Sequence, residues 1–377
     1  MTPDPSPSSA PADRSGRRLR RRRALRALAL ALGLALALLA GEVVARVVGF
    51  EGSPRRYFWP GIYRADPETG WALLPDYRGA HVEYDHEAPT TTNAQGWRGP
   101  AWDAARAGAA VRVLCLGDSC TFGRGVADEA TWPARLEARL RARGLDAAVF
   151  NAGVPGWDSR QEEAAFARLV DVVRPTVVVV AWLPNDVTER SVDKIPRTQV
   201  LDGQLVEDVD RYQAWREREE GRAPRGSALV RLVRSRAKVL GARLSPRVSF
   251  DWEVDLPDDA LAYSQAPLGR IFARARAAGA TPLLVLFPRQ EEVEDPASPA
   301  RHHGRMAAFA RAQGVEAVDL HARWRAAGPS PGRFLPRDPV HPTAAGYDDV
   351  AAAVAEAGVF APAGDPRAGA RPPEKDP

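Results

Sequence analysis

Residues 176–182 read Thr-Val-Val-Val-Val-Ala-Trp, with four consecutive valines. β-branched side chains crowd a helix and favour extended backbone, and a short run with no polar alternation predicts a strand buried on both faces. A strand of that kind needs a packed layer above and another below. The rest of the chain supplies them. Apolar strand-like runs at 111–116, 147–151, 281–287 and 315–320 alternate with helical stretches at 132–143, Ser159–Val173, 261–278, 300–313 and 343–357. Such alternation predicts an α/β fold of about five parallel strands covered by helices on both sides. Ligands of these sheets bind beyond the carboxyl ends of the strands.

The N-terminus has a different character. Residues 1–16 are rich in Pro, Ser and Ala, and residues 17–26 form an arginine cluster. Residues 27–41 are an uncharged Ala/Leu run, which valines extend to residue 48 around Glu42 and Arg46. From Arg26 to Arg46 a helix spans roughly 30 Å, about one hydrocarbon core. The run is apolar on every face, which disfavours a soluble amphipathic helix. We read 1–26 as a disordered cytoplasmic leader and 27–48 as a transmembrane signal anchor, with secretion after signal cleavage as the alternative. Arginine-rich flanks stay cytoplasmic, so the remainder is expected on the extracytoplasmic side. The leader also explains the net charge of +4: residues 1–50 hold nine Arg against three acids, 9 − 3 = +6, leaving 4 − 6 = −2 for the rest. The overall basicity therefore gives no reason to expect nucleic-acid binding.

Residues 51–110 are aromatic- and Pro-rich and read as an accessory region of short strands, ahead of a main domain at 111–361. Residues 187–260 interrupt the alternation and are too long for an ordinary connection, which suggests a lid-like insertion. Within it Leu229, Leu232, Val233, Leu240 and Leu244 recur at helical spacing. From 211 to 247 eleven Lys/Arg face three Glu, 11 − 3 = +8, which is either the solvated face of a packed amphipathic helix or a basic lid for anionic headgroups or an acidic glycan. Residues 362–377 read as a disordered tail. The two cysteines, Cys115 and Cys120, read as small packed hydrophobes rather than a disulfide. No Cys/His set has metal-ligand spacing, and His302-His303 reads as a solvated pair in a polar stretch. No cofactor or metal is expected.

Four short motifs lie at or beyond predicted strand ends: Gly117-Asp118-Ser119, Asn151-Ala152-Gly153, Asn185-Asp186 and Asp338-Pro339-Val340-His341. A serine hydroxyl needs an adjacent base, and Ser119 sits at a turn rich in small residues directly after a strand. A histidine three residues after a carboxylate can have its Nδ1–H held by that carboxylate, leaving Nε2 to take the serine proton. Asp338 and His341 fit those roles. The oxyanion of a tetrahedral intermediate needs fixed donors. The candidates are the backbone N–H groups of Ser119 and Gly153 and the side-chain amide of Asn185. Asp118 and Asp186 read as structural carboxylates, and Trp157 as either a pocket wall or core.

These motifs together resemble the SGNH, or GDSL, hydrolase superfamily over roughly residues 111–358. Gly-Asp-Ser119 is similar to its first block, Gly153 to its second, Asn185 to its third, and Asp338 with His341 to its last. The resemblance implies a flavodoxin-like three-layer α/β/α sandwich and ester chemistry at Ser119. One departure is Leu183, where the third block usually has glycine two residues before its asparagine. Thr69-Gly70-Trp71 and the stretch from Thr92 to Gly99 resemble the N-terminal region of membrane-anchored bacterial members. The expected activity is an extracytoplasmic serine esterase acting on a small acyl ester, such as acetyl, carried by a carbohydrate or lipid. The alternatives are an O-acyltransferase acting on an envelope polysaccharide, a lipase or lysophospholipase and, last, a non-catalytic glycan-binding protein.

Overall fold

A computed structural model describes residues 14–47, 58–83, 86–220, 229, 230, 233, 256–295 and 297–360 except 299, 329, 331 and 337. The chain divides into two compact units, Met1–Pro54 with Arg216–Leu244, and Arg55–Trp215 with Ser245–Pro377.

The first unit contains α1 (Arg14–Val47), a single helix of 34 residues. Residues 14–26, part of the 1–26 leader read as disordered, are thus helical, continuous with the apolar run that follows. Its stretch Arg20–Val44, 25 residues, is long and apolar enough to cross a membrane, a property that an N-terminal signal sequence shares. Leu28, Leu30, Leu34 and Leu39 all face outward from it.

The second unit begins with short antiparallel strands: β1 (Phe58–Trp59), β2 (Tyr63–Asp66), β3 (Gly70–Leu73), β4 (Arg78–Glu83) and β5 (His86–Thr91). They form a three-stranded sheet, β1-β4-β5, and the hairpin β2-β3. Helix α2 (Ala104–Ala107) leads into the main alternation. That alternation runs β6 (Val111–Gly117), α3 (Ser119–Phe122), α4 (Trp132–Ala142), β7 (Ala147–Gly153), α5 (Ser159–Val173) and β8 (Val177–Trp182). The insertion follows as α6 (Asn185–Thr188), α7 (Ser191–Lys194), the hairpin β9 (Gln199–Leu201) with β10 (Gln204–Val206), and α8 (Val209–Glu220). Most of the basic 211–247 stretch lies outside the described residues. The chain resumes with α9 (Asp258–Ala277), β11 (Thr281–Leu286), α10 (Gln290–Glu294), α11 (Arg301–Ala312), β12 (Glu316–Asp319), α12 (Leu320–Ala327) and α13 (Ala344–Ala355).

Five strands pair in parallel in the order β12-β11-β8-β6-β7. Counted along the chain this is 2-1-3-4-5, the flavodoxin-like order, with its switch point between β6 and β8. The period-two pleat sends alternate residues to opposite layers. Val113, Cys115, Val177, Val179, Leu283 and Val285 face Trp132, Leu136, Trp324, Tyr347 and Val350 from α4, α12 and α13. Leu114, Leu116, Val178, Val180, Leu284 and Leu286 face Phe166, Leu169, Ile271, Phe272 and Met306 from α5, α9 and α11. The consecutive valines of β8 thus serve both layers, which is why that strand has no polar face. Cys115 and Cys120 are buried free thiols in the first layer.

Two local outcomes differ from the expected boundaries. The last strand ends at Asp319 rather than 320, because the Asp319 carboxylate accepts from the His321 and Ala322 N–H groups and starts α12 at once. The accessory strands pack a third core of Phe58, Ile62, Tyr63, Trp71 and Leu73 against Phe122, Val154 and Trp157. Trp71 Nε1 donates to Pro155 O and Trp157 Nε1 donates to Trp71 O, a reciprocal tie that makes Trp157 a core residue rather than a pocket wall.

Candidate active site

Ser119 opens α3 immediately after β6, at the switch point of the sheet. The turn is tight for two reasons. Gly117 has φ +154°, and a Cβ there would lie 2.1 Å from Thr121 Oγ1, so no larger residue fits. Asp118 then caps the four-residue helix by accepting from the Cys120 N–H at 2.8 Å. The result holds the Ser119 side chain beyond the carboxyl edge of the sheet, where only 7% of the residue is exposed.

His341 reaches the same point from the far end of the chain. Its Nε2 lies 2.7 Å from Ser119 Oγ, and its Nδ1 lies 2.6 Å from Asp338 Oδ2. The other oxygen of Asp338 accepts from the Val340 and His341 N–H groups at 3.0 and 3.1 Å. The loop is closed by the Leu335 N–H donating to His341 O and by the Thr343 N–H donating to Arg333 O. Thr343 caps α13 through the Gly346 N–H. Burial alone would push the Asp338 carboxyl up. The imidazole of His341, the nearby Arg124 guanidinium and the Val340 N–H outweigh it and hold Asp338 well below the ordinary carboxylate range. Asp338 is therefore an anion at neutral pH, poised to accept the Nδ1–H of His341.

The three expected oxyanion donors are brought to this end of the sheet on the ends of β6, β7 and β8. Asn185 Nδ2 donates to Asp118 Oδ2 at 2.8 Å, which fixes the amide orientation and leaves the second hydrogen of that nitrogen. The Gly153 N–H donates to Asn151 Oδ1 at 3.0 Å. The close approach that requires glycine at 153 comes from the protein itself: a Cβ there would lie 2.2 Å from Phe122 N. The turn that carries Ser119 thus rests directly on β7. Leu183, which departs from the usual glycine, is fully buried in the core layer covered by α4, α12 and α13.

Comparison with known families settles what this constellation belongs to. The family model described as "GDSL-like Lipase/Acylhydrolase family" matches residues 115–348, more than half of the chain. The chain belongs to the GDSL-like lipase/acylhydrolase family. It is an ester-bond hydrolase. Among solved structures it is similar to LAE5, an α/β hydrolase from the metagenome of Lake Arreo, at 18% identity and TM-score 0.42, over 67% of this chain and 98% of that one. It is also similar to a lipase/acylhydrolase from Enterococcus faecalis, at 15% identity and TM-score 0.39, over 65% and 93%. A catalytic mutant of Axe2, an acetylxylan esterase from Geobacillus stearothermophilus, gives 17% identity and TM-score 0.39, over 66% and 94%. No curated protein matches.

Around this GDSL-family site the structure adds residues that the sequence reading missed. Arg98, in the stretch from Thr92 to Gly99, is buried with its guanidinium over the Phe122 ring at 4.6 Å. It donates to Phe122 O, Gly123 O and Val126 O at 3.0, 2.6 and 2.6 Å, and to Asp128 at 2.8 Å. One cation therefore clamps the backbone that leaves α3. Beside Asn185, the Asp186 carboxylate accepts from Ser159 Oγ at 2.5 Å. Burial, reinforced by neighbouring aspartates, pushes the carboxyls of both Asp186 and Glu162 far above the ordinary range. Finally, the His302-His303 pair is not solvated. Both rings lie in the first turn of α11 and are at most 1% exposed, packed against Glu292 of α10 and the Trp182 ring. The polar neighbours in sequence face out while the apolar side of α11 carries these two residues inward.

Proposed function

We propose that this GDSL-family hydrolase is an extracytoplasmic serine esterase that removes a small acyl group, such as acetyl, from an envelope carbohydrate, with Ser119 as nucleophile. The observation that carries the reading is the continuous chain of contacts from Ser119 Oγ to His341 Nε2 at 2.7 Å and from His341 Nδ1 to Asp338 Oδ2 at 2.6 Å. Ser119 Oγ attacks the ester carbonyl carbon as its proton passes to His341 Nε2. The imidazolium is held by the Asp338 anion. The carbonyl oxygen becomes an oxyanion that accepts from the Ser119 N–H, the Gly153 N–H and the Asn185 amide. This role requires the Gly153 N–H to turn from Asn151 Oδ1 to the oxyanion. Collapse expels the alcohol, which takes the proton from Nε2. Water, deprotonated by the same nitrogen, then attacks the acyl-enzyme carbon and releases the carboxylic acid and free Ser119.

In this reading α1 is the membrane anchor, the hydrolase domain begins near residue 111 with the accessory strands packed on it, and 187–260 is a lid-like insertion in its sequence. Hydrolysis of p-nitrophenyl esters of increasing chain length, by the wild type and Ser119→Ala, tests it. The expected result is a preference for acetyl and a loss of roughly 10⁴-fold or more in the variant. Undiminished hydrolysis by Ser119→Ala would sink the mechanism. A marked preference for long chains would replace the small-acyl substrate with a lipid.

A further inference from the structure

We propose that Glu292, His302 and His303 form a buried structural site for a divalent transition metal of the zinc class, which braces the loop carrying Asp338 and His341. Two imidazoles and a carboxylate are a donor set suited to such an ion. The ligand atoms of the three residues stand close enough for one ion to draw them together. In a tetrahedral site with metal–ligand bonds of about 2.0–2.1 Å, neighbouring ligand atoms stand roughly 3.3 Å apart. Here His302 Nε2 lies 3.0 Å from Glu292 Oε1, and His303 Nε2 lies 3.5 Å from Glu292 Oε2. One ligand atom from each of the three residues lies within 4.8 Å of the others.

Hydrogen bonding leaves this cluster unfinished. All four ring nitrogens of His302 and His303 are buried without an aligned hydrogen-bond partner among the described residues, despite the short contacts to Glu292. Buried polar atoms are rarely left unmatched, so four in two adjacent rings call for further partners. A cation between the two Nε2 atoms and the carboxylate supplies one to each Nε2. Outer groups are placed as such a site needs. Asp319 Oδ1 stands 3.4 Å from His303 Nδ1, where it orients the ring. The Arg289 N–H and guanidinium donate to Glu292 at 2.7 and 3.1 Å and fix the carboxylate. The positive charge of Arg289 is answered by Glu292. His321 stacks on His303 at 4.8 Å, and its Nε2 lies 3.1 Å from Glu292 O, while Trp182 closes the apolar side.

The location gives the ion its task. Glu292 and both histidines are at most 1% exposed, so substrate has no access to a bound ion, and its role is structural. It would join α10 to α11. The Gln290 N–H at the start of α10 donates to Pro339 O at 2.7 Å, inside the loop between Asp338 and His341.

The test uses the full chain in detergent, purified without a polyhistidine tag. Metal content is measured by plasma mass spectrometry, followed by Co²⁺ titration read through visible absorption. The wild type is expected to retain about one zinc per chain. After the metal is stripped, Co²⁺ should produce the intense visible bands of a tetrahedral site, and Zn²⁺ should raise the Tm. His302→Gln and His303→Gln, checked for folding by circular dichroism, should lose the metal and the Tm response. Should either variant fail to fold, the wild-type Co²⁺ spectrum and Zn²⁺-dependent Tm decide alone. A folded wild type with no metal, no Co²⁺ bands and no Tm response overturns the proposal, as does equal metal content in folded variants. None of these readouts depends on esterase activity.

Discussion

Gly153→Ala isolates the packing of the nucleophile turn from the chemistry of its backbone. Alanine keeps the N–H of residue 153, so a role limited to oxyanion donation would leave the variant fully active. The structure predicts otherwise. The added Cβ would lie 2.2 Å from Phe122 N and 2.6 Å from Thr121 C, where ordinary contact begins near 3.4 Å, so a gap of 3.4 − 2.2 = 1.2 Å must open. Both obstructing atoms are backbone, so no rotamer change relieves the clash. Either α3 lifts from β7 or β7 bends. Overpacking of this kind costs about 1–3 kcal/mol of stability. Ser119 is three residues from Phe122 in the same short helix, so it moves with the turn and away from its 2.7 Å contact with His341. Misplacing a reacting group by about 1 Å costs around 10²-fold in rate. The assay is p-nitrophenyl acetate hydrolysis together with thermal unfolding. The expected outcome is kcat/KM lower by about 10²-fold and a reduced Tm in a folded protein. Wild-type kcat/KM with an unchanged Tm would refute the claim that the turn rests on this glycine.

Three further outcomes follow from the same geometry. Asp338→Asn should fold but lose about 10⁴-fold in kcat, since the amide favours the wrong tautomer of His341; near-normal turnover would remove Asp338 from its role. Arg98→Met leaves Phe122 O, Gly123 O and Val126 O without their cation, and denaturant unfolding should show a loss of about 3–5 kcal/mol; a loss under 1 kcal/mol would mean that water replaces the guanidinium. Asp66 tests the accessory hairpin by pH. Burial opposes its ionisation, yet the Thr69 N–H and hydroxyl, Arg168 and the Glu68 N–H lower its pKa from 3.8 to about 2. A depressed carboxyl stabilises the fold above its unfolded pKa and loses that contribution as pH falls through the folded value. The gap in urea midpoint between wild type and Asp66→Asn should therefore hold above pH 4 and shrink towards pH 2; a gap independent of pH would contradict the assignment.

The sheet was readable because its strands are short apolar runs between helices with clear periods, and the four valines of β8 admit almost no other placement. The site motifs were readable because each is contiguous and sits at a strand end. What escaped the sequence was action across the fold. Arg98 lies between Trp97 and Gly99 with nothing to mark that its guanidinium reaches carbonyls 24 to 28 residues on. Glu162 follows Gln161 in a helix, where adjacent polar residues normally mark a wet face, yet α5 turns both inward. His302-His303 looked solvated because Arg301, Gly304 and Arg305 flank it. Its partners, Glu292 and Asp319, come from other elements, so no ligand spacing existed to be read. Gly153 was read as a backbone donor, and nothing in the sequence marks that the space left by its missing Cβ is taken by Phe122 N.

Ser119 and His341 touch although 222 residues separate them. A chain made N-terminus first presents its serine turn long before the residues that would complete it. On the proposed mechanism, until the loop ahead of α13 docks, Ser119 carries an unactivated hydroxyl, no more reactive than any other serine. Competence to cleave esters would then arrive among the last events of folding. Loss of the C-terminal segment would silence the protein with its serine intact, and a chain still being made would leave the esters around it untouched.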